Sequence, residues 1–186
     1  MRIISGDLKG KKISLPIDIK TRPLRDLVKE SIFNLINHSN KFSLKLNNSN
    51  VLDLFSGTGS FGIECISRNA KKVTFVENYN LVLNILKKNI KSLDIGNKTE
   101  IIEDDCFNIF ESKKKFKKKF NLIFMDPPYR EHKINIIINK IKDREILDEN
   151  GILIIHRHKK DDIDISNKLK ILDERNYGIS KIIIGN

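Results

Sequence analysis

At 186 residues the chain has the length of one α/β domain, which leaves little room for a separate substrate-recognition domain. Lys and Arg number 35 against 24 Asp and Glu, a formal net charge of +11 that suits a partner with a phosphate backbone, although many of the lysines are spread among Asn and Ile along the whole chain. No stretch nears the ~18 apolar residues of a membrane span, the N-terminus lacks the apolar run of a signal peptide, and the distant pair Cys65 and Cys106 suggests neither a disulfide frame nor a metal site, so a cytoplasmic protein without membrane or metal partners is expected.

The first 20 residues carry short apolar and basic stretches, Arg2-Ile3-Ile4 and Lys11-Lys12-Ile13-Ser14-Leu15, broken at Gly6-Asp7 and Gly10 and ended by Pro16. They predict a basic β-hairpin over 1–20, ahead of a main domain over 21–186. From Leu24 onward, Leu27, Val28, Ile32, Phe33, Leu35 and Ile36 recur at helical spacing and predict a helix of three to four turns, followed by a polar, Asn-rich loop over 37–50. Strands are then predicted at about 50–55, 72–76, 99–103, 121–125, 151–156, 170–175 and 179–184, and helices near 59–68, 79–93, 105–111 and 132–143. This alternation implies a parallel sheet with helices on both faces. The turn Arg175-Asn176-Tyr177-Gly178 joins the last two strands as an antiparallel hairpin.

Two segments carry chemistry. The apolar run Val51-Leu52-Asp53-Leu54-Phe55 enters the glycine-rich turn Ser56-Gly57-Thr58-Gly59 and then a helix, an arrangement that lets backbone N–H groups approach a ligand closely. A lone glycine-rich turn serves several nucleotide cofactors, and the next strand narrows the choice, because it ends in Glu77, where a carboxylate can accept from both ribose hydroxyls. Asp104 or Asp105, after Ile101-Ile102-Glu103, can accept from an adenine amine with Cys106 or Phe107 packing on the ring; the competing readings are a plain strand-end acid at Glu77 and a helix cap at Asp104 or Asp105. Downstream, the apolar run Leu122 to Met125 ends in Asp126-Pro127-Pro128-Tyr129. The prolines hold Asp126 in extended backbone and offer carbonyls without N–H donors, so Asp126 and the Pro127 carbonyl can take the two N–H bonds of an exocyclic amine while Tyr129 stacks on the base.

Together, Asp53 to Gly59, Glu77, Asp105 and Asp126-Pro127-Pro128-Tyr129 resemble the class I S-adenosylmethionine-dependent methyltransferases that modify amino groups of bases. The chain is most similar to the bacterial family that methylates the N2 of a guanine in 16S ribosomal RNA. Supporting residues run over nearly the whole chain: Met1 to Gly6 with Gly10-Lys11, Thr21-Arg22-Pro23, Lys29 to Asn34, Phe61-Gly62-Ile63-Glu64, Ser67-Arg68-Asn69-Ala70 and Tyr177-Gly178. The resemblance implies a Rossmann-like, seven-stranded, mostly parallel sheet whose antiparallel seventh strand inserts beside the fifth. It implies S-adenosylmethionine as cofactor, with Asp53, Phe55, Ser56, Gly57, Thr58 and Gly59 toward its methionine part, Glu77 at the ribose, and Asp105 and Cys106 at the adenine. Catalysis falls to Asp126, Pro127 and Tyr129. The implied substrate is 16S ribosomal RNA in an assembling or assembled small subunit, with the chain acting as a monomer. Adenine N6 in DNA or RNA, or a catalytically idle RNA-binding assembly factor, are the alternatives; a small-molecule substrate fits worst, since no insertion supplies a lid.

Arg2, Lys11 and Lys12, with Arg22 and Pro128 nearer the reacting base, are the expected RNA contacts. Three positions depart from the family pattern: Leu24 replaces Thr or Ser, Asn69 replaces Gly at a left-handed position that Asn tolerates, and His156-Arg157-His158 stands where an acidic residue commonly ends the fifth strand. His156 and His158 share a strand face but have no third ligand, and neither a zinc site nor a catalytic histidine is expected from them.

Overall fold

The computed structural model describes residues 1–16, 24–111, 116, 118–128, 131, 133–161, 165 and 167–186. Arg22, Tyr129, His132 and most of the run Lys113 to Lys119 lie outside that set. Seven strands form one sheet: β1 (Asn50–Leu54), β2 (Lys72–Val76), β3 (Thr99–Ile102), β4 (Phe120–Met125), β5 (Leu147–His158), β6 (Ile171–Tyr177) and β7 (Ser180–Gly185). Their spatial order is β3-β2-β1-β4-β5-β7-β6. The pairs among β1 to β5 are parallel, whereas β7 runs antiparallel between β5 and β6, as the resemblance implied. Strand order reverses between β1 and β4, so the crevice at their carboxyl ends is where a ligand of such a sheet sits.

Side chains of the central strands alternate between two cores. Leu122 and Phe124 of β4 face one side; Ile123 and Met125 face the other. The first core is closed by α1 (Asp26–His38), α2 (Ser60–Ser67) and α3 (Asn80–Ser92), the second by α4 (Asn108–Glu111) and α5 (Ile134–Asp143). In α5 the buried residues Ile134, Ile137, Ile138 and Ile141 follow i, i+3, i+4, i+7, one apolar stripe against the sheet. In α2, by contrast, every residue is buried. A helix hidden on all sides must satisfy its polar groups internally, and here the N-terminal segment supplies the cover.

That segment is less regular than a hairpin. One antiparallel bridge, Arg2 to Lys12, closes it, with Ile3 N–H donating to the Lys11 carbonyl at 3.0 Å. Its backbone instead spends donors on α2: Ile4 and Ser5 give N–H bonds of 2.8 and 2.9 Å to the buried Glu64 carboxylate, and Leu8 gives one of 3.0 Å to Ser67 Oγ. Gly6 passes the helix with φ +82°, and a Cβ there would sit 1.8 Å from the Ser67 carbonyl oxygen, so only glycine allows this approach. Glu64 also accepts from Arg68 Nε at 3.0 Å and faces Lys29 Nζ at 4.0 Å. Val28, Ile32, Phe33 and Ile36 of α1 are buried as expected, but Leu27 is 70% exposed and Lys29 is fully buried in its stead. The cause is charge: Glu64, Ser60 and Met1 Sδ receive the ammonium group in the interior, and breaking one side of such a buried pair costs about 3–5 kcal/mol.

Other boundaries shift for local reasons. β5 starts at Leu147, ahead of Gly151, because Leu147 pairs with Phe120 across an irregularity that absorbs the polar residues Asp148 to Asn150. The final turn lies at Gly178 and Ile179, with Tyr177 opposite Ser180 and Gly178 at φ +61°. α4 begins at Asn108 because Asp105 Oδ1 takes the Phe107 N–H at 2.7 Å and holds the preceding residues in a turn. Asn69 adopts φ +69°, the left-handed backbone foreseen for it. Both cysteines are buried, and no helix among the described residues is long and apolar enough to cross a membrane.

Candidate active site

A cavity of about 650 Å³ opens at the carboxyl ends of β1, β2, β3, β4 and β5, within the range of ordinary ligand sites. Asp53, Phe55, Ser56, Gly57, Thr58, Glu77, Asp105, Cys106, Asp126, Pro127 and Pro128 all line it. Gly59 stands behind the wall: at φ +83° it starts α2, and a Cβ there would press on Leu86, Ile63 and Phe75.

On one side the cavity is shaped by the turn after β1. Phe55 lines it with φ +56°, a left-handed conformation that costs a non-glycine residue about 1–2 kcal/mol. Its N–H is held by Cys106 Sγ at 3.2 Å, which gives the buried cysteine a backbone-holding role in the cavity wall. Burial, together with nearby Glu77, Asp105 and Asp53, pushes the Cys106 thiol well up, so it stays protonated and inert. Asp53 is buried as well, and its Oδ2 accepts the Gly62 N–H at 2.9 Å, satisfying one of the orphan donors in the first turn of α2. Burial raises its carboxyl well above the usual range, against the lowering effect of that hydrogen bond.

Glu77 is already engaged. Its Oε2 accepts the Gly57 N–H at 2.8 Å, and Oε1 accepts the N–H groups of Asn78 and Tyr79, each at 3.0 Å. A carboxylate has about four lone-pair sites, so little more than one is left for a ribose hydroxyl unless the Gly57 contact exchanges. Asp105 is similarly fixed, between Phe107 N–H and Asn78 Nδ2 at 3.0 Å. Phe107 stands edge-on to Phe55, ring centroids 6.2 Å apart, and both rings line the cavity next to Asp105.

The opposite side holds Asp126, Pro127 and Pro128, and there the structure adds residues to which the sequence assigned no role. His156 Nδ1 lies 2.7 Å from Asp126 Oδ1, and its Nε2 lies 2.9 Å from Ser180 Oγ. Arg157, fully buried next to it in β5, donates to the carbonyls of Pro128 at 3.1 Å and Glu131 at 3.0 Å and pairs with the Asp161 carboxylate. The guanidinium thus ties the chain on either side of Tyr129 and Arg130 to the end of β5. The available signal is positional: His156 and Arg157 directly follow the apolar run Ile152 to Ile155, at the end of a strand where this sheet type puts its ligand. Leu24 and Arg25, just before α1, also line the cavity.

Arg2, Lys11 and Lys12 are exposed and do not line the cavity. Their end of the N-terminal segment is the nearer one, since Met1 Sδ receives the hydroxyl of cavity-lining Ser60 at 3.0 Å.

Comparison with known proteins agrees with this fold. A solved structure of the Escherichia coli protein yhhF superposes with a TM-score of 0.82 at 24% identity, over 100% of this chain and 96% of that one, which shows the same fold. The Bacillus subtilis protein YlbH is 30% identical over 185 residues, 99% of this chain and 97% of its own. Ribosomal RNA small subunit methyltransferase D of Buchnera aphidicola is 37% identical over 161 residues, 87% of this chain and 80% of its own. The family described as Conserved hypothetical protein 95 matches residues 1–186, from the segment that covers α2 to the last strand, and the chain belongs to that family.

Proposed function

We propose that this chain transfers the methyl group of S-adenosylmethionine to the exocyclic N2 amine of a guanine in 16S ribosomal RNA, in an assembling or assembled small subunit, as a monomer. The observation that carries the reading is a single cavity with the glycine turn and Glu77 on one side and Asp126-Pro127-Pro128 on the other. The name of the Buchnera relative, a ribosomal RNA small subunit methyltransferase, supports the substrate class.

The donor fits the first side. Its volume suits the cavity, Asp105 and the Phe107 ring suit an adenine, Glu77 suits a ribose hydroxyl, and Gly57, at positive φ with open space where a Cβ would stand, leaves room for the donor beside the turn. When bound, S-adenosylmethionine supplies an electrophilic methyl carbon on a sulfonium. The remaining work belongs to the chain. Asp126 and the Pro127 carbonyl accept the two amine N–H groups, which turns the nitrogen lone pair out of conjugation with the ring. Holding two reactants in line supplies several kcal/mol of the barrier, and a carboxylate next to the nitrogen stabilises the positive charge that develops there. As the nitrogen–carbon bond forms and the carbon–sulfur bond breaks, the surplus amine proton leaves to Asp126 or to water. The base must be unpaired or flipped to reach the cavity.

The test is tritium transfer from labelled S-adenosylmethionine to ribosomal RNA, free and as a small-subunit particle, followed by nucleoside analysis. N2-methylguanosine is the expected product. N6-methyladenosine would replace the guanine assignment, and failure to bind S-adenosylmethionine in calorimetry would make the chain an RNA-binding factor without catalysis.

A further inference from the structure

Building on the methyl-transfer reading, we propose that His156 is a positioning residue that fixes the Asp126 carboxylate for the acceptor amine, with Ser180 fixing His156 in turn. The geometry is a chain of three side chains from β4's end, β5 and β7. Asp126 Oδ1 lies 2.7 Å from His156 Nδ1, and His156 Nε2 lies 2.9 Å from Ser180 Oγ. An ionised carboxylate only accepts, so Nδ1 must carry the hydrogen of the first contact. The Ser180 hydroxyl can donate or accept, and in the neutral ring it donates to Nε2. The His156 side chain is 6% exposed and that of Asp126 is 22% exposed, which puts the locked end of the network inside and the carboxylate at the cavity surface. Oδ1 is committed to His156, while Oδ2 has no donor among the described residues. One oxygen is therefore held and the other is presented.

Sheet register dictates this contact. β4 and β5 run parallel with Met125 beside Ile155, so the next residues, Asp126 and His156, emerge side by side. β7 returns antiparallel with Ile182 opposite His156, and Ser180, two residues away on the same face, meets the ring diagonally. A carboxylate ahead of two prolines has a restricted backbone but a free χ1; the imidazole removes that freedom. A displacement of about 1 Å at such a position costs on the order of 10²-fold in rate.

Three variants in turnover, and imidazole nitrogen shifts with a fourth, test the assignment. In methyl transfer to the small-subunit particle, His156→Phe should lower kcat about 10²-fold while leaving S-adenosylmethionine affinity unchanged in calorimetry. His156→Asn, whose amide can donate in place of Nδ1, should recover most of that loss. Ser180→Ala should give an intermediate loss. Wild-type kcat in a folded His156→Phe variant, or an Asn variant as impaired as the Phe variant, would overturn the role. Imidazole nitrogen shifts read the contact without turnover: the His156 signal should show a protonated Nδ1 that moves in Asp126→Ala. An unprotonated Nδ1 would overturn the proposal even in an active enzyme. If the wild-type chain methylates nothing, the methyl-transfer reading fails, and the nitrogen shifts still decide whether His156 holds Asp126.

Discussion

The two sides of the cavity are assembled from different kinds of information. On the donor side, Asp53, Phe55, Ser56, Gly57 and Thr58 come from one continuous stretch; Gly62 and Glu77 set part of it from nearby in sequence or from the adjacent strand, and Cys106 and Asn89 hold Phe55 and Thr58 from farther along the chain. On the acceptor side, Asp126, His156 and Ser180 come from the residue after β4, from β5 and from β7, separated by 30 and 24 residues. A turn encodes its own shape through glycine and capping side chains, whereas the acceptor side exists only once three strands have taken the right register. Donor-side changes should therefore act on cofactor affinity, and acceptor-side changes on turnover, with little crossing between them.

The largest effect expected is at the centre of the acceptor side. Asp126→Ala removes the presented carboxylate oxygen and should lower kcat by at least about 10²–10³-fold. Cofactor affinity measured by calorimetry should stay within a few-fold of wild type, because the Asp126 side chain bonds to His156 and its backbone N–H bond to the Leu54 carbonyl, at 3.5 Å, survives the substitution. Retained turnover, or an equal loss of cofactor binding, would break the division between the two sides.

Arg157 should come next. Its guanidinium holds the carbonyls of Pro128 and Glu131 in a fork that lysine cannot reproduce, so Arg157→Lys retains the charge and forfeits the geometry. We expect kcat/KM for RNA to fall about tenfold or more, following the ~1.5–3 kcal/mol of hydrogen bonds to a charged group. Steady-state kinetics over RNA concentration checks this, with calorimetry showing unchanged cofactor affinity. An effect on the cofactor alone would mean that β5 braces the donor side instead.

This contrast also explains what the sequence disclosed. The strands themselves, the closing hairpin and the glycine turn were legible because apolar runs and turn residues are local features, whereas the sheet type and the place of β7 beside β5 came from the family resemblance that Asp53, Glu77 and Asp126 carry. Burial of Lys29 and the interplay of Glu64 with Ile4 and Ser5 were not, since a polar residue on an apolar stripe looks exposed until its distant partner is known. In sequence, His156 looks like one half of an incomplete metal pair with His158, because spacing along one strand says nothing about the neighbouring strand. Parallel strands that are apolar throughout give no alternation from which to fix their mutual register.

The N-terminal segment sharpens the comparison from outside the cavity. Its α2-facing side is fixed by Glu64 and Ser67, while Arg2, Lys11 and Lys12 are exposed to solvent. If these lysines meet phosphates, the double variant Lys11→Glu, Lys12→Glu should weaken RNA binding and reduce the slope of log K against log salt by about 0.7–0.9 for each phosphate no longer neutralised. Filter binding across a salt series provides the slope. An unchanged slope would move the phosphate-binding surface elsewhere.

The smallest effect belongs to the sheet edge far from either side. Burial alone would push Asp173 up, yet the hydrogen bond from Lys41 at 2.9 Å and the charge of Arg175 outweigh it and hold the carboxyl below its usual range. A carboxylate lowered in the folded state stabilises the fold above its unfolded pKa of about 3.9. That contribution fades as pH falls from there through the lower folded value. Asp173→Asn should thus lower Tm at pH 7 by no more than about 2–4 °C, as for a partly exposed ion pair. The gap from wild type should close as the pH drops below about 4. Thermal melts at pH 7, 4 and 3 measure it, and with Asp173 remote from the cavity, methyl-transfer kinetics at pH 7 should not change. A rate effect from this edge would show that β6 and β7 transmit strain to Ser180 and His156, and the acceptor side would then extend across the whole antiparallel end of the sheet.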